Sequence, residues 1–162
     1  MLQRCHLNPE TLADLHRRLV GYQRTARSGT GWAQGVPRDW LDTLLEDWRD
    51  FDTDAFQLRL DALDHRQVRI AEQSVHMVLG AGRGPKPLPL LLTHGWPGSF
   101  LEYLPILDLL ANPGAHGADP VDAFTVIVPS LPGYAFSAPP PPTGMTGRQV
   151  AGLWHELMTQ IL

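Results

Sequence analysis

The chain has a single cysteine, Cys5, among 162 residues. One thiol excludes an intrachain disulfide framework and fits a reducing compartment, with Cys5 itself expected to be inert. Long apolar runs are missing too. None approaches the roughly 20 residues that cross a bilayer as a helix, and no signal-peptide core marks the N-terminus. A soluble, cytoplasmic chain without a membrane partner is the expectation. Basic clusters are scarce: the formal charge is −4, and the densest block, His16-Arg17-Arg18, falls inside an amphipathic helical pattern. Nucleic acid is therefore not an expected partner. His6, His16, His65, His76, His94, His116 and His155 do not pair at ligand spacing, so no metal is expected. No P-loop or dinucleotide fingerprint announces a cofactor, and none is expected. No internal repeat is present, and the only low-complexity stretch is Pro139 to Pro142.

An apolar content of 43% against 19% charged residues describes a folded chain with a real core. The first third reads as helical. Asn8 can cap a helix with Pro9 at its first position and Glu10 in its first turn. Leu12, Leu15, Leu19 and Val20 then share a face. A loop, Ser28 to Val36, holds Trp32 among three glycines. Pro37 opens a second helix, in which Trp40, Leu41, Leu44, Leu45 and Trp48 form a stripe expected to pack as core. A third short helix starts at Thr53, with Phe56, Leu60 and Leu63 inward.

The pattern changes at Gln67, which divides a helical segment, 1–66, from a strand–helix segment, 67–162. Val68 and Ile70 alternate with charged residues, as in an edge strand. Val75, Met77 and Leu79 alternate again before Gly80-Ala81-Gly82-Arg83-Gly84-Pro85 breaks the chain. Leu88 to Leu92 is apolar on both faces, as in a central parallel strand. Ser99 and Glu102 form a capping box for the next helix, in which Pro105 is expected to produce a kink. Phe124 to Val128 is a further strand, and Thr146 and Gln149 cap a last helix carrying Val150, Leu153, Trp154, Leu157, Met158 and Ile161. Strand–helix alternation after Gln67 predicts an α/β sheet.

The chemistry concentrates where the Leu88–Leu92 strand runs into His94-Gly95-Trp96-Pro97-Gly98-Ser99. A developing oxyanion needs fixed backbone N–H donors in a water-poor site. A strand ending in His-Gly-Trp-Pro can present them: Gly95 lets the backbone approach closely, and Pro97 removes one donor and fixes the turn. His94, inside the turn, is expected to pin the loop rather than act as a base.

His94-Gly95-Trp96-Pro97-Gly98-Ser99-Phe100-x-Glu102, followed by Val128-Pro129-Ser130-Leu131-Pro132-Gly133-Tyr134-x-Phe136-Ser137, resembles the epoxide hydrolases of the α/β-hydrolase fold, and within them the microsomal and juvenile-hormone type. The opening resembles their N-terminal domain through Gly29-Thr30-Gly31-Trp32-x-x-Gly35 and Asp47-Trp48-Arg49, as does Val75-His76. The resemblance implies hydrolysis of epoxides to diols in two steps. An Asp carboxylate opens the epoxide to an ester, and a His oriented by an acid activates the water that releases the diol. It implies that the Trp96 backbone N–H is an oxyanion donor, that Trp96, Pro97 and Tyr134 lie at the substrate pocket, and that His94, Gly95, Pro97, Gly98, Pro132 and Gly133 shape the two turns. Ala135 stands where the family usually has a second glycine, a source of strain if that position requires a positive φ. Thr53 follows Phe51-Asp52 where the family tends to have a Trp.

Searches for G-x-S-x-G, G-x-D-x-G and G-x-C-x-G find no nucleophile elbow. The expected architecture is a helical N-terminal meander leading into the first strands and helices of an α/β-hydrolase sheet, truncated before the elbow. The expected function is that of an N-terminal fragment of an epoxide hydrolase, inactive alone because nucleophile, lid and His are absent. The alternatives are a non-catalytic module or split-enzyme subunit that binds a partner chain, or a second copy, through an exposed sheet edge, and a piece of another Asp-nucleophile hydrolase such as a haloalkane dehalogenase.

Overall fold

The computed structural model describes residues 5–23 and 31–161. The loop residues Ser28, Gly29 and Thr30, and with them part of the Gly-Thr-Gly-Trp motif, lie outside the described residues. Two compact units emerge: His6–Leu60, and Asp61–Leu162 together with Cys5.

The first unit is helical. Helix α1 (Pro9–Val20) starts as its sequence dictates, with Asn8 Oδ1 accepting from the Glu10 and Thr11 N–H groups. Helix α2 (Arg38–Arg49) follows Pro37, and the Arg49 guanidinium donates to the Leu19 carbonyl at 3.1 Å, joining the end of α2 to that of α1. Helix α3 (Thr53–Asp61) buries Leu60. The aromatic stripe of α2 departs from expectation. Leu45 is buried, but Trp40, Leu44 and Trp48 stay exposed, and Trp40 instead meets Trp32 edge-on with ring centroids 5.6 Å apart. Helical periodicity identifies an apolar face without saying whether this stretch of chain covers it.

The second unit is built on a four-stranded mixed sheet in the order β1-β2-β4-β3. Strands β1 (Asp64–Ile70) and β2 (Gln73–Gly80) form an antiparallel hairpin with Ile70 opposite Gln73. The first strand begins at Asp64, before the change of pattern at Gln67, because its opening residues are polar and hide the alternation. Strand β4 (Phe124–Pro129) pairs antiparallel with β2 and parallel with β3 (Leu88–Leu91). Strand β3, apolar on both faces like a central strand, stands at the sheet edge among the described residues, the exposed edge that the sequence leads one to expect, with Leu88 60% exposed. The central place belongs to β4, where Val126, Ile127 and Val128 are fully buried.

Two faces follow from the strand period. Ile70, Val75, Met77 and Ile127 meet Leu153, Trp154 and Leu157 from helix α5 (Gly147–Glu156) and the π-helical turn that continues it. The opposite face carries His65, His76 and Val78 and receives Phe100 and helix α4 (Leu104–Ala111). Gly80 admits that helix closely: a Cβ there would lie 2.8 Å from Leu107 Cδ1.

Pro105 does not kink a helix. A 3-10 turn, Phe100–Tyr103, comes first and α4 begins at Leu104, which puts Pro105 in the first turn, where its missing N–H costs no intrahelical bond. Ser99 Oγ caps the 3-10 turn through the Leu101 N–H at 3.3 Å, while the Glu102 carboxylate folds back over Gly98. At α5 both halves of the capping box form, with Thr146 and Gln149 exchanging side-chain and backbone bonds.

Two alanines, Ala71 in the hairpin turn and Ala135 in the loop after β4, have φ of 50° and 45°. That is the left-handed region, which costs a residue with a Cβ roughly 1–2 kcal/mol. Ala135→Gly should therefore raise stability by about 1 kcal/mol and Tm by about 2–4 °C in thermal unfolding. An unchanged or lower Tm would show that the loop already accommodates the methyl group. Thr146→Ala should lower stability by about 1 kcal/mol through loss of the cap, with Thr146→Ser restoring most of it.

Candidate functional site

Parallel pairing brings the carboxyl ends of β3 and β4 to one edge of the sheet, the position where open α/β sheets bind ligands. Each strand delivers one of the two motif loops. The β3 side is prolonged by the Leu92 N–H donating to the Ile127 carbonyl at 2.9 Å. Beyond it, Tyr103 Oη donates to the Thr93 carbonyl at 2.7 Å and Trp154 Nε1 to Thr93 Oγ1 at 3.2 Å. The Gly98 N–H then closes a turn onto the Gly95 carbonyl at 2.8 Å, around a cis Trp96–Pro97 bond.

His94 is buried and joins the two loops. The Leu131 backbone N–H donates to His94 Nε2 at 3.1 Å. An N–H can only donate, so Nε2 carries the lone pair and Nδ1 carries the proton, which points to the Gly95 carbonyl at 3.2 Å. Tyr134 packs edge-on against the ring, centroids 5.2 Å apart. With both nitrogens in hydrogen bonds and Tyr134 against the ring, His94 joins the two loops.

Trp96, by contrast, is 84% exposed, and Gly95 and Pro97 are exposed beside it. Among the described residues no acceptor takes the Trp96 backbone N–H. Gly95 has an unremarkable backbone angle, and a Cβ there would meet nothing within 4 Å. The packing of the described residues therefore does not require a glycine there. Gly133, with φ of 82° and a Cβ position 3.0 Å from Pro140 Cδ, is required by the loop itself. Pro132 is buried next to it, and Tyr134 is half-buried.

The second loop is laced to β2. The Ser130 N–H donates to the His76 carbonyl at 2.8 Å, the His76 N–H to Ser137 Oγ at 2.9 Å, and Ser137 Oγ to the Ser130 carbonyl at 2.8 Å. His76 Nδ1 lies 2.9 Å from Ser130 Oγ, and its Nε2 lies 2.8 Å from His65 Nδ1. Burial, and secondarily the neighbouring His65, push the His76 pKa down to about 4, so the ring is neutral at neutral pH. Cys5 completes this group: its sulfur and the two ring nitrogens all lie within 4.8 Å of one another. Burial, and then the Asp61 charge, push the Cys5 thiol up to about 11, which keeps it protonated. Linear spacing could not reveal the group, because Cys5 arrives from a distant part of the sequence and the two histidines meet only through hairpin pairing.

Comparison with known proteins agrees with these motifs. The family described as "Epoxide hydrolase N terminus" matches residues 3–103. A putative epoxide hydrolase of Stigmatella aurantiaca is 38% identical over 152 residues, which cover 93% of this chain and 34% of that protein. Epoxide hydrolase 1 of Oryctolagus cuniculus is 32% identical over 160 residues, covering 94% and 35% respectively. The chain therefore spans about a third of the length of these curated relatives. Among solved structures, the juvenile hormone epoxide hydrolase of Bombyx mori superposes with a TM-score of 0.85 at 26% identity, over 99% of this chain and 38% of that one. The Aspergillus niger epoxide hydrolase gives 0.75 at 31% identity, over 96% and 42%. With the matched region spanning most of its length and both motif loops in place at the strand ends, the chain belongs to the epoxide hydrolase family, to whose N-terminal part it corresponds.

Proposed function

We propose that this chain supplies the N-terminal part of an epoxide hydrolase: the helical opening segment, the first strands of the hydrolase sheet, and one half of the oxyanion-binding turn. The observation that carries this reading is the match of nearly the whole chain to about the first third of its relatives. In this reading the Trp96 backbone N–H is the oxyanion donor, and Trp96, Pro97 and Tyr134 line the epoxide pocket. His94, Gly95, Gly98, Pro132 and Gly133 hold the turns. In this reading the carboxylate nucleophile, the acid and the water-activating His are not supplied by these residues, so residues 1–162 alone hydrolyse no epoxide.

The test is complementation. Purified residues 1–162 and the remaining two thirds of the Stigmatella aurantiaca relative are assayed for diol formation from styrene oxide, singly and mixed. Neither part alone should turn over substrate above buffer, and the mixture should. Trp96→Pro, which deletes the proposed donor, should reduce the mixture's rate by about 10²–10³-fold. Diol production by residues 1–162 alone, or an inactive mixture of two folded parts, overturns the reading.

The open edge of β3 favours a second role, as a subunit that pairs with a partner chain or a second copy. Sedimentation velocity distinguishes the two: a subunit of this kind should associate with rising concentration, whereas a monomer at all concentrations removes self-pairing.

A further inference from the structure

We propose that Cys5, His65 and His76 form a zinc site, in which Cys5 Sγ, His65 Nδ1 and His76 Nε2 bind the ion and Ser130 orients the His76 ring. All three residues are buried, and their ligand atoms already converge within 4.8 Å of one another. The hairpin makes this possible by placing His65 and His76 on the same face of adjacent strands. A built outer shell is present as well. His76 Nδ1 lies 2.9 Å from the fully buried Ser130 Oγ, the arrangement that fixes tautomer and ring orientation in metal-bound histidines. The rings of Phe100 and Phe136 flank His76, with centroids 5.1 and 5.2 Å away, and shield the group from bulk water.

The donor set selects the ion. One thiolate and two imidazoles suit a borderline-soft cation with tetrahedral preference, and exclude calcium and magnesium, which take oxygen ligands. Zn–N bonds of about 2.0–2.1 Å place two nitrogens about 3.3 Å apart across a tetrahedral angle. His65 Nδ1 and His76 Nε2 are 2.8 Å apart, so the rings separate by about half an ångström as the ion replaces their hydrogen bond. The protons balance simply. The Cys5 thiol releases its proton to solvent. The hydrogen that bridges the two rings belongs to His65 Nδ1 and moves to its Nε2 by exchange with solvent, while His76 keeps its hydrogen on Nδ1, facing Ser130, so one proton in all is released, that of the thiol. A thiolate and two neutral imidazoles then hold Zn²⁺ as its three protein ligands. The bound ion clamps Cys5 to the β1–β2 hairpin.

Cobalt(II) is the probe, because a thiolate bound to it gives a sulfur-to-metal charge-transfer band that imidazole alone does not. Cys5 is the one cysteine in the sequence, so any such band reports this site. Purified chain, stripped with EDTA and titrated with Co²⁺, should develop the band at one equivalent, and Zn²⁺ should displace it. Saturating Zn²⁺ should raise Tm by about 5 °C or more. Cys5→Val, which keeps an apolar side chain of similar size, should lose the band and bind Zn²⁺ at least 100-fold more weakly. Metal uptake by the unaltered chain without the band, or no uptake, overturns the proposal even if the variant fails to fold. A zinc-induced Tm rise of the same size in Cys5→Val does so too.

Discussion

Strand β4 must satisfy hydrogen bonds on both of its edges while buried on both faces, and the second unit is arranged to meet that demand. One edge is met antiparallel by β2 and the other parallel by β3. Parallel pairing cannot be closed by a tight turn. The chain between β3 and β4 therefore carries α4, which lies over the sheet because Gly80 presents no Cβ where Leu107 arrives. The same pairing sends β3 and β4 out of the sheet on one side, so two loops far apart in sequence emerge together. The meeting of the two motif loops is a consequence of strand direction before any side chain in them is considered.

Once together, the loops are held by buried or part-buried, mutually satisfied hydrogen bonds. The Leu131 N–H fixes the His94 tautomer, and the His76–Ser130–Ser137 bonds fix the second loop against β2. Buried polar groups left unpaired would cost about 1–3 kcal/mol each, so these bonds specify one loop geometry more than they add net stability. The strained Ala135 sits inside this well-tied loop, which is where an unfavourable backbone angle can persist.

Much of this was legible in the sequence for local reasons. Asn8, Ser99 and Thr146 each cap the helix or turn they precede, because capping depends on residues within one turn of each other. The strand at Phe124 and the two motif loops were equally visible, and the strain at Ala135 followed from the glycine pattern of the resemblance. What failed was non-local or depended on cover. The α2 stripe has the period of a buried face but is not buried here, and Pro105 begins a helix because a 3-10 turn precedes it. The cluster of Cys5, His65 and His76 has no signature in linear spacing, since its geometry exists only after the hairpin forms. The edge position of β3 also has a detail that hydropathy hides. Leu88 donates its N–H to the Ala123 carbonyl just before β4 and Leu92 to that of Ile127, so the backbone groups of the other parity, those of Pro89 and Leu91, face the edge left open among the described residues. Pro89 has no N–H to offer there, which blunts the edge against indiscriminate pairing while leaving its carbonyls available.

The exposure of Trp96 bears directly on what the turn can do. An oxyanion donor is effective because it is fixed beforehand and works where water is excluded; in water a single N–H competes with solvent for the same charge. The turn meets the first condition, since the Gly98–Gly95 bond and the pin at His94 hold the turn around Trp96. It does not supply the second, because Trp96 lies at the surface of the described residues. Gly95, exposed and unstrained, points the same way: its missing side chain leaves room for something this segment does not itself provide. Under the proposed function the turn is therefore one half of a site, which acts on an oxyanion only where water is excluded from Trp96.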